Sequence, residues 1–592
     1  MRPATRLAVC AIAVLVPAIA AADEAREAFA AVRDSYLGGL AAHYPVYGTT
    51  LGDHRFDDRL DDVSAAGRSA QRAWLAEHQQ RLDAIDLADL PVAERTDAEL
   101  LAHELSSGLW QIDELQAWAW DPLYYNALAG GALYSLMARE FAPLPERLAA
   151  ATARLEALPQ FFVAARAALR PERVPAIHAE TALAQHRGVI GIVDALIEPS
   201  IGTLDADAAE RLRRAIDTAR GAATEHEAWL RDQLVPNAAG DFRLGRERYN
   251  TKLKYTLNAD MTAPAVRRLA EQEYQRVRTE MYDVARDIYA GRYPQSLFPD
   301  APTDAYKQAI IRAALEVAYA DSPPRDGVVT AARESLQTTT DFVRAKNLVR
   351  IPDAPLEIIL MPEFQRGISL AYCDSPGALD KGLATYYAVS PIPDDWTDAQ
   401  TDGYLREYNY RSIHNLTVHE AMPGHYLQLA HANEYPSVLR AVLQSGTFIE
   451  GWAVYTEHVM VDAGYYDDDP LMRLIQLKWY LRAVINAILD QAVHVDGLDR
   501  ESAMQLLIEG GFQEEREAAG KWIRAQLTSA QLSTYFVGYQ QHAALRQEIE
   551  SLDGDNFNLR AYHDAVLSYG SPPVRYVRNR LLAQRQASAS TN

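Results

Sequence analysis

Cysteine is almost absent from this chain of 592 residues, which contains only Cys10 and Cys373. Cys10 lies in an N-terminal segment that we expect to be removed, so the mature chain would keep one thiol. A single thiol excludes an intrachain disulfide, and stability must then come from a large buried core. We expect Cys373 to belong to that core as a small apolar side chain.

Basic residues are scarce relative to acidic ones. Lysine and arginine total 58 against 80 aspartate and glutamate residues, for a formal net charge of −22. A surface this acidic argues against nucleic acid or an anionic membrane as the main partner. The hydrophobic content of 48% is typical of a globular protein rather than a disordered one. Composition leaves the oligomeric state open.

Long apolar runs are missing except near the start of the chain. Leu7 to Ala20 is apolar, follows Arg2 and Arg6, and ends in small residues before Asp23. This pattern predicts a signal peptide over residues 1–22. We therefore expect a periplasmic or secreted protein that has no membrane attachment after the signal is removed.

Two alternatives to a cleaved signal peptide stay open. A permanent membrane anchor is disfavoured by Pro17 and by the shortness of the apolar run. A lipoprotein attached through Cys10 is disfavoured because Val9 precedes it, where a small residue is expected.

Apolar residues recur at helical spacing over most of the chain. Phe29, Val32, Tyr36 and Leu40 fall on one face of a predicted first helix that ends at Pro45. The same periodicity predicts further helices over residues 148–162, over residues 303–317 with Thr303 as the N-cap, and over residues 471–488. These stripes are typical of core packing.

Strand signals are few and lie in one region. Short β-branched and aromatic runs predict strands at Leu356–Met361, Ile368–Tyr372 and Thr385–Ser390. The fold class is therefore mainly α, with a small β-sheet beside the segment described next. No linker or repeat divides the chain, so residues 23–592 are predicted to form a single domain, and a division into two lobes is left open.

The segment from His419 to His425 carries a variant of a metal-binding motif. The common H-E-x-x-H pattern places two histidines one helical turn apart, with the glutamate as base. Here the second histidine is six residues on, about 600° around a regular helix, so the two rings would face different sides. Pro423 lacks an N–H, and Gly424 tolerates unusual backbone angles. We expect a bulge at these residues that returns His425 to the face of His419.

A third ligand is expected on the next helix, predicted to open near Thr447. Glu450 on that helix would complete a set of two histidines and one glutamate, which leaves a position for water and is typical of catalytic zinc. Glu457 is two turns farther on, too distant to bind the same ion, and is expected to orient a ligating histidine. The ligand types favour one Zn²⁺ over other divalent ions.

Four segments resemble one bacterial family, called domain of unknown function 885, which is grouped with the gluzincin metallopeptidases. They are His419-Glu420-x-x-Pro423-Gly424-His425, Glu450-Gly451-Trp452-Ala453, Leu51-Gly52-Asp53-His54 and Tyr535-x-x-Gly538. The resemblance implies a large, mainly helical zincin, similar to neurolysin or angiotensin-converting enzyme, with a deep cleft. It also implies His419, His425 and Glu450 on zinc and Glu420 as the catalyst.

The chain departs from the family pattern near its C-terminal end. Thr534–Gly538 lacks a Pro-Gly-Gln lead-in, and Gly570–Pro573 ends in proline where leucine is usual. These departures put the substrate-binding end in doubt more than the metal end.

The expected function is hydrolysis of peptide bonds in oligopeptides by an exported zinc metallopeptidase. Glu420 would take a proton from a zinc-activated water and pass it to the leaving amine. Tyr535 is the first choice for the donor that stabilises the oxyanion, with Tyr539 and Tyr569 as reserves.

Substrate contacts are predicted from three further features. The strand at residues 385–390, which carries Tyr387, is expected to lie at the edge of its sheet and to pair with an extended peptide. Arg546 or Arg575 would bind a C-terminal carboxylate. Tyr569 completes the predicted substrate-binding residues.

Other functions stay open at this stage. One is a zinc hydrolase acting on a non-peptide amide or ester. Another is a non-enzymatic helical binding protein with structural zinc, although such a site has no need of Glu420 as a base.

Overall fold

A computed structural model describes residues 8–361 and 370–591, with side chains described for residues 22–361 and 370–587. The chain is mainly helical and divides into two compact units. Unit 1 comprises Met1–Asp241, Pro376–Lys381 and Ser437–Leu443, and unit 2 comprises Phe242–Ser375, Gly382–Pro436 and Gln444–Asn592. The predicted single domain over residues 23–592 stays a prediction.

Unit 1 begins with the predicted first helix. The helix contains residues 8–43, and its four predicted face residues are each at most 6% exposed. The next helix begins at Pro45, whose fixed φ suits a first helical turn. Residues 1–7 of the predicted signal peptide lie outside the described residues. The helices of unit 1 are α1 Ala8–His43, α2 Pro45–Leu51, α3 Ala65–Asp83, α4 Val92–Trp110, α5 Ala117–Trp120, α6 Pro122–Met137, α7 Leu144–Ala168, α8 Ala176–Ile192, α9 Ala206–Trp229 and α17 Val438–Val442.

Unit 2 contains the remaining helices. Its helices are α10 Gly245–Leu257, α11 Ala263–Arg292, α12 Asp304–Tyr319, α13 Val328–Lys346, α14 Asp398–Glu407, α15 Tyr410–Glu420, α16 His425–Ala432, α18 Gly446–Asp462, α19 Pro470–Gln491, α20 Arg500–Gln505, α21 Glu515–Leu527, α22 Ser533–Asp553, α23 Leu559–Leu567 and α24 Val574–Thr591. Thr303 caps α12 as predicted, since its hydroxyl accepts the Tyr306 N–H at 3.2 Å. The predicted helices over residues 148–162 and 471–488 correspond to α7 and α19.

A three-stranded sheet in unit 2 contains β1 Leu356–Leu360, β2 Ala371–Asp374 and β3 Thr385–Val389. The strand order is β1-β3-β2, with β1 parallel and β2 antiparallel to β3. The first and third predicted strands are confirmed. The second strand is observed at residues 371–374 rather than 368–372, and residues 368 and 369 lie outside the described residues.

The predicted use of β3 as an edge strand is wrong. Its backbone pairs with β1 on one side and with β2 on the other, so no row of free N–H and C=O groups is left for a peptide. Sequence periodicity identifies a strand but not its position in the sheet, which depends on pairings distant along the chain. In the described sheet the edge strand that lies beside the candidate site is β2.

Helices α18 and α22 cross at a pair of glycines. A Cβ atom on Gly451 would lie 2.3 Å from the carbonyl carbon of Gly538, and one on Gly538 would lie 2.1 Å from the carbonyl oxygen of Thr447. Because neither position has room for a side chain, the two backbones are in direct contact. This crossing brings together the parts of α18 and α22 that carry Glu450 and Tyr535.

None of the helices in the described ranges combines the length and the apolar character that a membrane crossing requires.

Candidate functional site

His419 and Glu420 are the last residues of α15. The helix is capped at its start by Asn409, whose side-chain oxygen accepts the Ser412 N–H at 3.2 Å. After Glu420 the backbone leaves the helical conformation, and α16 begins at His425.

The expected bulge within one continuous helix is therefore wrong, because the chain forms two helices separated by a break. Proline cannot donate within a helix, and a Cβ atom on residue 424 would lie 1.9 Å from the carbonyl oxygen of His419. The indole N–H of Trp452 holds the break by donating to the Pro423 carbonyl at 2.9 Å. The break achieves what the bulge was expected to do, since His425 faces His419.

The side chains of His419, His425 and Glu450 converge, with their ligand atoms all within 4.8 Å of one another. The Glu450 Oε2 atom lies 3.6 Å from His419 Nε2 and 3.4 Å from His425 Nε2. These separations are too long for good hydrogen bonds. They match the edge of a tetrahedron about one ion, which is about 3.4 Å for ligand distances of about 2.1 Å.

Polar atoms without partners test whether the residues fit a metal ion. The Glu450 Oε2 atom is buried and has no hydrogen-bond partner among the described residues. A buried acceptor left without a partner costs about 1–3 kcal/mol, and more when it is charged. A cation held between Glu450 and the two imidazoles would satisfy it, and two imidazoles with one carboxylate are a fitting donor set for zinc.

Glu457 fixes the orientation of His419. Its Oε1 atom lies 2.8 Å from His419 Nδ1, and its Oε2 atom accepts a hydrogen bond from Asn415 Nδ2 at 2.9 Å. A carboxylate at Nδ1 favours the tautomer that carries its proton there, which leaves the Nε2 lone pair facing Glu450. The structure thus places Glu457 behind the predicted ligand, not among the converging atoms.

Glu420 is held beside the converging side chains by strand β2. Its Oε2 atom accepts the backbone N–H of Cys373 at 3.1 Å. Desolvation raises the pKa of Glu420, and it outweighs the opposing effect of the His425 and His419 imidazoles. A carboxyl group with a raised pKa is suited to accept and release a proton near neutral pH.

A cavity next to this centre is lined by side chains of α15, α18, α19, α21 and α22. His419, Glu420 and Glu457 line one part of it. Arg482, Lys521, Arg524 and Tyr535 also contribute to its lining. Glu420 and three cationic side chains therefore line the same cavity.

The Tyr535 hydroxyl is oriented by two neighbours. Its oxygen accepts hydrogen bonds from Arg524 Nη2 at 3.0 Å and from Gln531 Nε2 at 3.4 Å. Since a hydroxyl has one proton and its lone pairs are occupied, that proton is left to donate into the cavity. Burial, together with the Glu450 carboxylate, raises the pKa of Tyr535 to about 12, so the hydroxyl keeps its proton at neutral pH.

The other predicted substrate-binding residues do not line the cavity. Tyr387 is 1% exposed, and its hydroxyl bonds to the Thr417 hydroxyl at 3.0 Å. Arg546 donates to Glu550 at 2.7 Å, Arg575 donates to the Asn258 side chain at 2.7 Å, and Tyr569 lies under the Arg580 guanidinium. Tyr539 packs against His458 and Tyr480.

Sequence reasoning missed several residues of the site. Lys521 and Arg524 belong to α21, where charges at helical spacing indicate a solvated face unless the partners of the helix are known. The Cys373 N–H was missed because a backbone donor leaves no signature in the side-chain pattern. Asn415, four residues before His419, was recognisable only as a polar residue on the same helix face.

Comparison with known proteins identifies a family and a fold. The family described as "Bacterial protein of unknown function (DUF885)" matches residues 45–581. No curated protein matches the chain.

Two solved structures are similar over almost their whole length. One, from Shewanella oneidensis, is described as a candidate lipoprotein of unknown function. It is 33% identical, has a TM-score of 0.78, and the alignment covers 94% of this chain and 99% of that one. The other, a candidate lipoprotein from Colwellia psychrerythraea, is 16% identical and has a TM-score of 0.77. Its alignment covers 95% of this chain and 99% of that one. The second likeness shows the fold alone.

Proposed function

The chain belongs to the family described as bacterial proteins of unknown function (DUF885), and we propose that it is an exported zinc metallopeptidase that hydrolyses peptide bonds of oligopeptides. The observation that supports this most is the convergence of His419, His425 and Glu450, in which the Glu450 carboxylate lies 3.4 and 3.6 Å from the two imidazoles and Glu420 lies beside them. The mainly helical fold with a small sheet next to the metal-binding residues supports a gluzincin-like zincin.

A catalytic centre fits the geometry better than a structural one. Structural zinc is closed by four protein ligands, whereas three residues converge here. Glu420 lies beside the centre without belonging to the converging set, and a structural site has no need of it. Glu457 supports His419 in the way that carboxylates support catalytic zinc ligands.

Each group of residues at the site has its own role in the proposed hydrolysis. Zinc held by His419, His425 and Glu450 would supply a bound water of lowered pKa and polarise the scissile carbonyl. Glu420 accepts the proton of the attacking water and passes it to the leaving nitrogen. Tyr535 donates its hydroxyl proton as a hydrogen bond to the oxyanion that develops on the substrate carbonyl.

Two observations support export. Residues 1–22 have the pattern of a signal peptide. The Shewanella oneidensis protein, 33% identical over 94% of this chain, is described as a candidate lipoprotein, a class of the cell envelope. We therefore propose that the mature protein lies in the periplasm or outside the cell.

Bound metal and peptide cleavage test the proposal together. The purified protein is analysed for metal, and wild type and Glu420→Gln are incubated with a mixed peptide library followed by mass spectrometry. We expect about one zinc ion per chain in both proteins, and cleavage by wild type alone. Zinc-loaded wild type that leaves every peptide intact would refute the peptidase assignment.

A further inference from the structure

Lys521 lines the cavity beside the candidate metal centre without a described carboxylate within ion-pair distance. The residue is 9% exposed, and its side-chain nitrogen has no hydrogen bond or ion pair with any described residue. Burial, and the nearby guanidinium groups of Arg524 and Arg482, lower the pKa of Lys521 and outweigh the opposing effect of the Glu517 and Glu450 carboxylates. A charged ammonium group in such a place is unfavourable until an anion lies next to it.

Arg524 lies one turn farther along α21 and is also uncompensated. Its Nη2 atom donates to the Gln531 side-chain oxygen at 2.9 Å and to the Tyr535 hydroxyl at 3.0 Å, both neutral acceptors. No described carboxylate lies within ion-pair distance of it. Its remaining N–H groups are therefore available to a ligand, and a guanidinium keeps its charge when buried.

Neighbouring cations show that the fold compensates buried charge elsewhere. Lys478 is fully buried and pairs with Glu407 at 2.9 Å. Arg482, which lines the same cavity, pairs with Glu407 and Glu517, each at 3.2 Å. Of the three cations that line the cavity, Lys521 and Arg524 therefore have no described carboxylate within ion-pair distance, whereas Arg482 has two.

We propose that Lys521 and Arg524 form a subsite for a carboxylate of the substrate, so that the protein acts on peptides that carry a free carboxylate near the scissile bond. The inference rests on the proposed peptidase function and narrows its substrate class. An ammonium and a guanidinium on consecutive turns match the two oxygens of one carboxylate. The carboxylate is the C-terminal group of a short peptide or an acidic side chain, and the experiment separates these sources.

Four mixtures of randomised pentapeptides serve as substrates. They are made with a free or an amidated C terminus, each with or without Asp and Glu. If the C-terminal group is bound, wild type cleaves both free-acid mixtures about 30-fold faster than the amidated ones, the effect of a buried charge pair. If an acidic side chain is bound, the mixtures with Asp and Glu are preferred whatever the C terminus. Equal rates on all four mixtures would overturn the subsite while the peptidase function stands.

Substitutions test whether Lys521 and Arg524 cause the preference for a substrate with a carboxylate. Lys521→Met and Arg524→Met should raise KM for the preferred mixture and reduce its advantage to a few-fold or less. Arg516→Met is the matched control, because Arg516 is exposed on the same helix and lies over the Trp396 ring, 3.8 Å from its centre. An undiminished preference in both cavity variants, with the control unchanged, would refute the assignment.

Folding and function are separated by two further measurements. Removal of an uncompensated buried cation should leave the Tm of Lys521→Met unchanged or higher, so a loss of selectivity cannot be ascribed to misfolding. If wild type cleaves no mixture, the proposed function fails, and calorimetric binding of the free-acid and amidated mixtures to Glu420→Gln then decides the subsite. Equal binding of all four mixtures would refute it independently of catalysis.

Discussion

At the scale of single residues, Glu450 and Glu457 contact the two histidines in different ways. Glu450 Oε2 lies 3.4 and 3.6 Å from the two imidazoles, while Glu457 contacts only the far side of His419. Glu450→Ala should therefore abolish stoichiometric zinc, because two imidazoles alone hold the ion weakly. Glu457→Gln should retain zinc with about 10- to 100-fold lower affinity, the usual effect of such supporting partners. Elemental analysis and competition with a chelator measure both.

A reversed result would show that the ligands are assigned wrongly. Full zinc occupancy in Glu450→Ala would remove Glu450 from the set. Loss of metal in Glu457→Gln alone would point to Glu457 as the ligand instead.

A second prediction at this scale concerns the Tyr535 hydroxyl. Its hydroxyl oxygen accepts from Arg524 and Gln531, so its proton is directed to the cavity. Tyr535→Phe should lower kcat by about 10²- to 10³-fold, as expected for the loss of one oxyanion donor, with a small change in KM and full zinc content. Steady-state kinetics on a peptide identified in the library screen provide the test. A kcat within a few-fold of wild type would exclude Tyr535 from the reaction.

The converging residues of the candidate centre were predictable from the sequence, whereas the cationic residues of the neighbouring cavity were not. The predicted ligands and their supporting carboxylate lie in two short segments whose residue types have few other uses, so the convergence of His419, His425 and Glu450, with Glu457 behind His419, was predictable from the sequence. Lys521 is an ordinary lysine in the sequence. Its importance comes from having no carboxylate within ion-pair distance among the described residues, and an absence of partners cannot be read from a pattern.

At the scale of elements, the α18–α22 crossing sets the distance between Glu450 and Tyr535. Gly538→Ala would place a Cβ atom 2.1 Å from the Thr447 carbonyl oxygen, so backbone rather than a flexible side chain must move. We expect a loss of about 1–3 kcal/mol in the free energy of unfolding, typical of overpacking. Because the helices also separate, we expect a drop in kcat.

Gly520→Ala is the matched control for this substitution. Gly520 lies within α21, and a Cβ atom there would meet nothing within 4 Å. Alanine at this position should stabilise the protein by about 1 kcal/mol through helix propensity. Urea unfolding of both variants gives the comparison, and a stable, active Gly538→Ala would show that the crossing tolerates a wider separation.

Helices were easier to predict than the contacts between them. The apolar stripes of α1, α7 and α19 are local, so periodicity identified them. The central position of β3 depends on its pairing with both β1 and β2. The break after Glu420 is held by Trp452, which lies 29 residues beyond Pro423. Local patterns could not supply those pairings.

At the scale of the whole molecule, the chain returns to unit 1 twice, at residues 376–381 and 437–443. Within unit 1, residues 376–381 are held by His54. Its Nε2 atom lies 3.1 Å from Asp380, and its Nδ1 atom lies 2.9 Å from Asp57. Partial burial opposes the charged imidazole, but the bonds to Asp380 and Asp57 outweigh it and raise the pKa of His54 to about 9. The contact is thus an ion pair at neutral pH.

This pair makes stability depend on pH in a defined direction. Because the pKa is raised on folding, the stabilisation is complete below about 6.5, the pKa of an unfolded histidine, and is lost as the pH rises through about 9. The Tm of wild type should therefore fall between pH 6 and pH 9.5 by more than that of His54→Asn. Thermal unfolding at both pH values checks this, and an equal fall in the two proteins would refute the role of His54.

The glycine crossing also has a use in inhibitor design. Gly451 directly follows Glu450, and Gly538 lies one turn beyond Tyr535, so the backbone contact fixes how far the Glu450 carboxylate, the proposed metal ligand, stands from the Tyr535 phenol. A compound that chelates the ion and accepts a hydrogen bond from that phenol needs both groups at one set separation. A rigid scaffold that holds this spacing should bind more tightly than a flexible one with the same groups, because it loses less conformational freedom on binding.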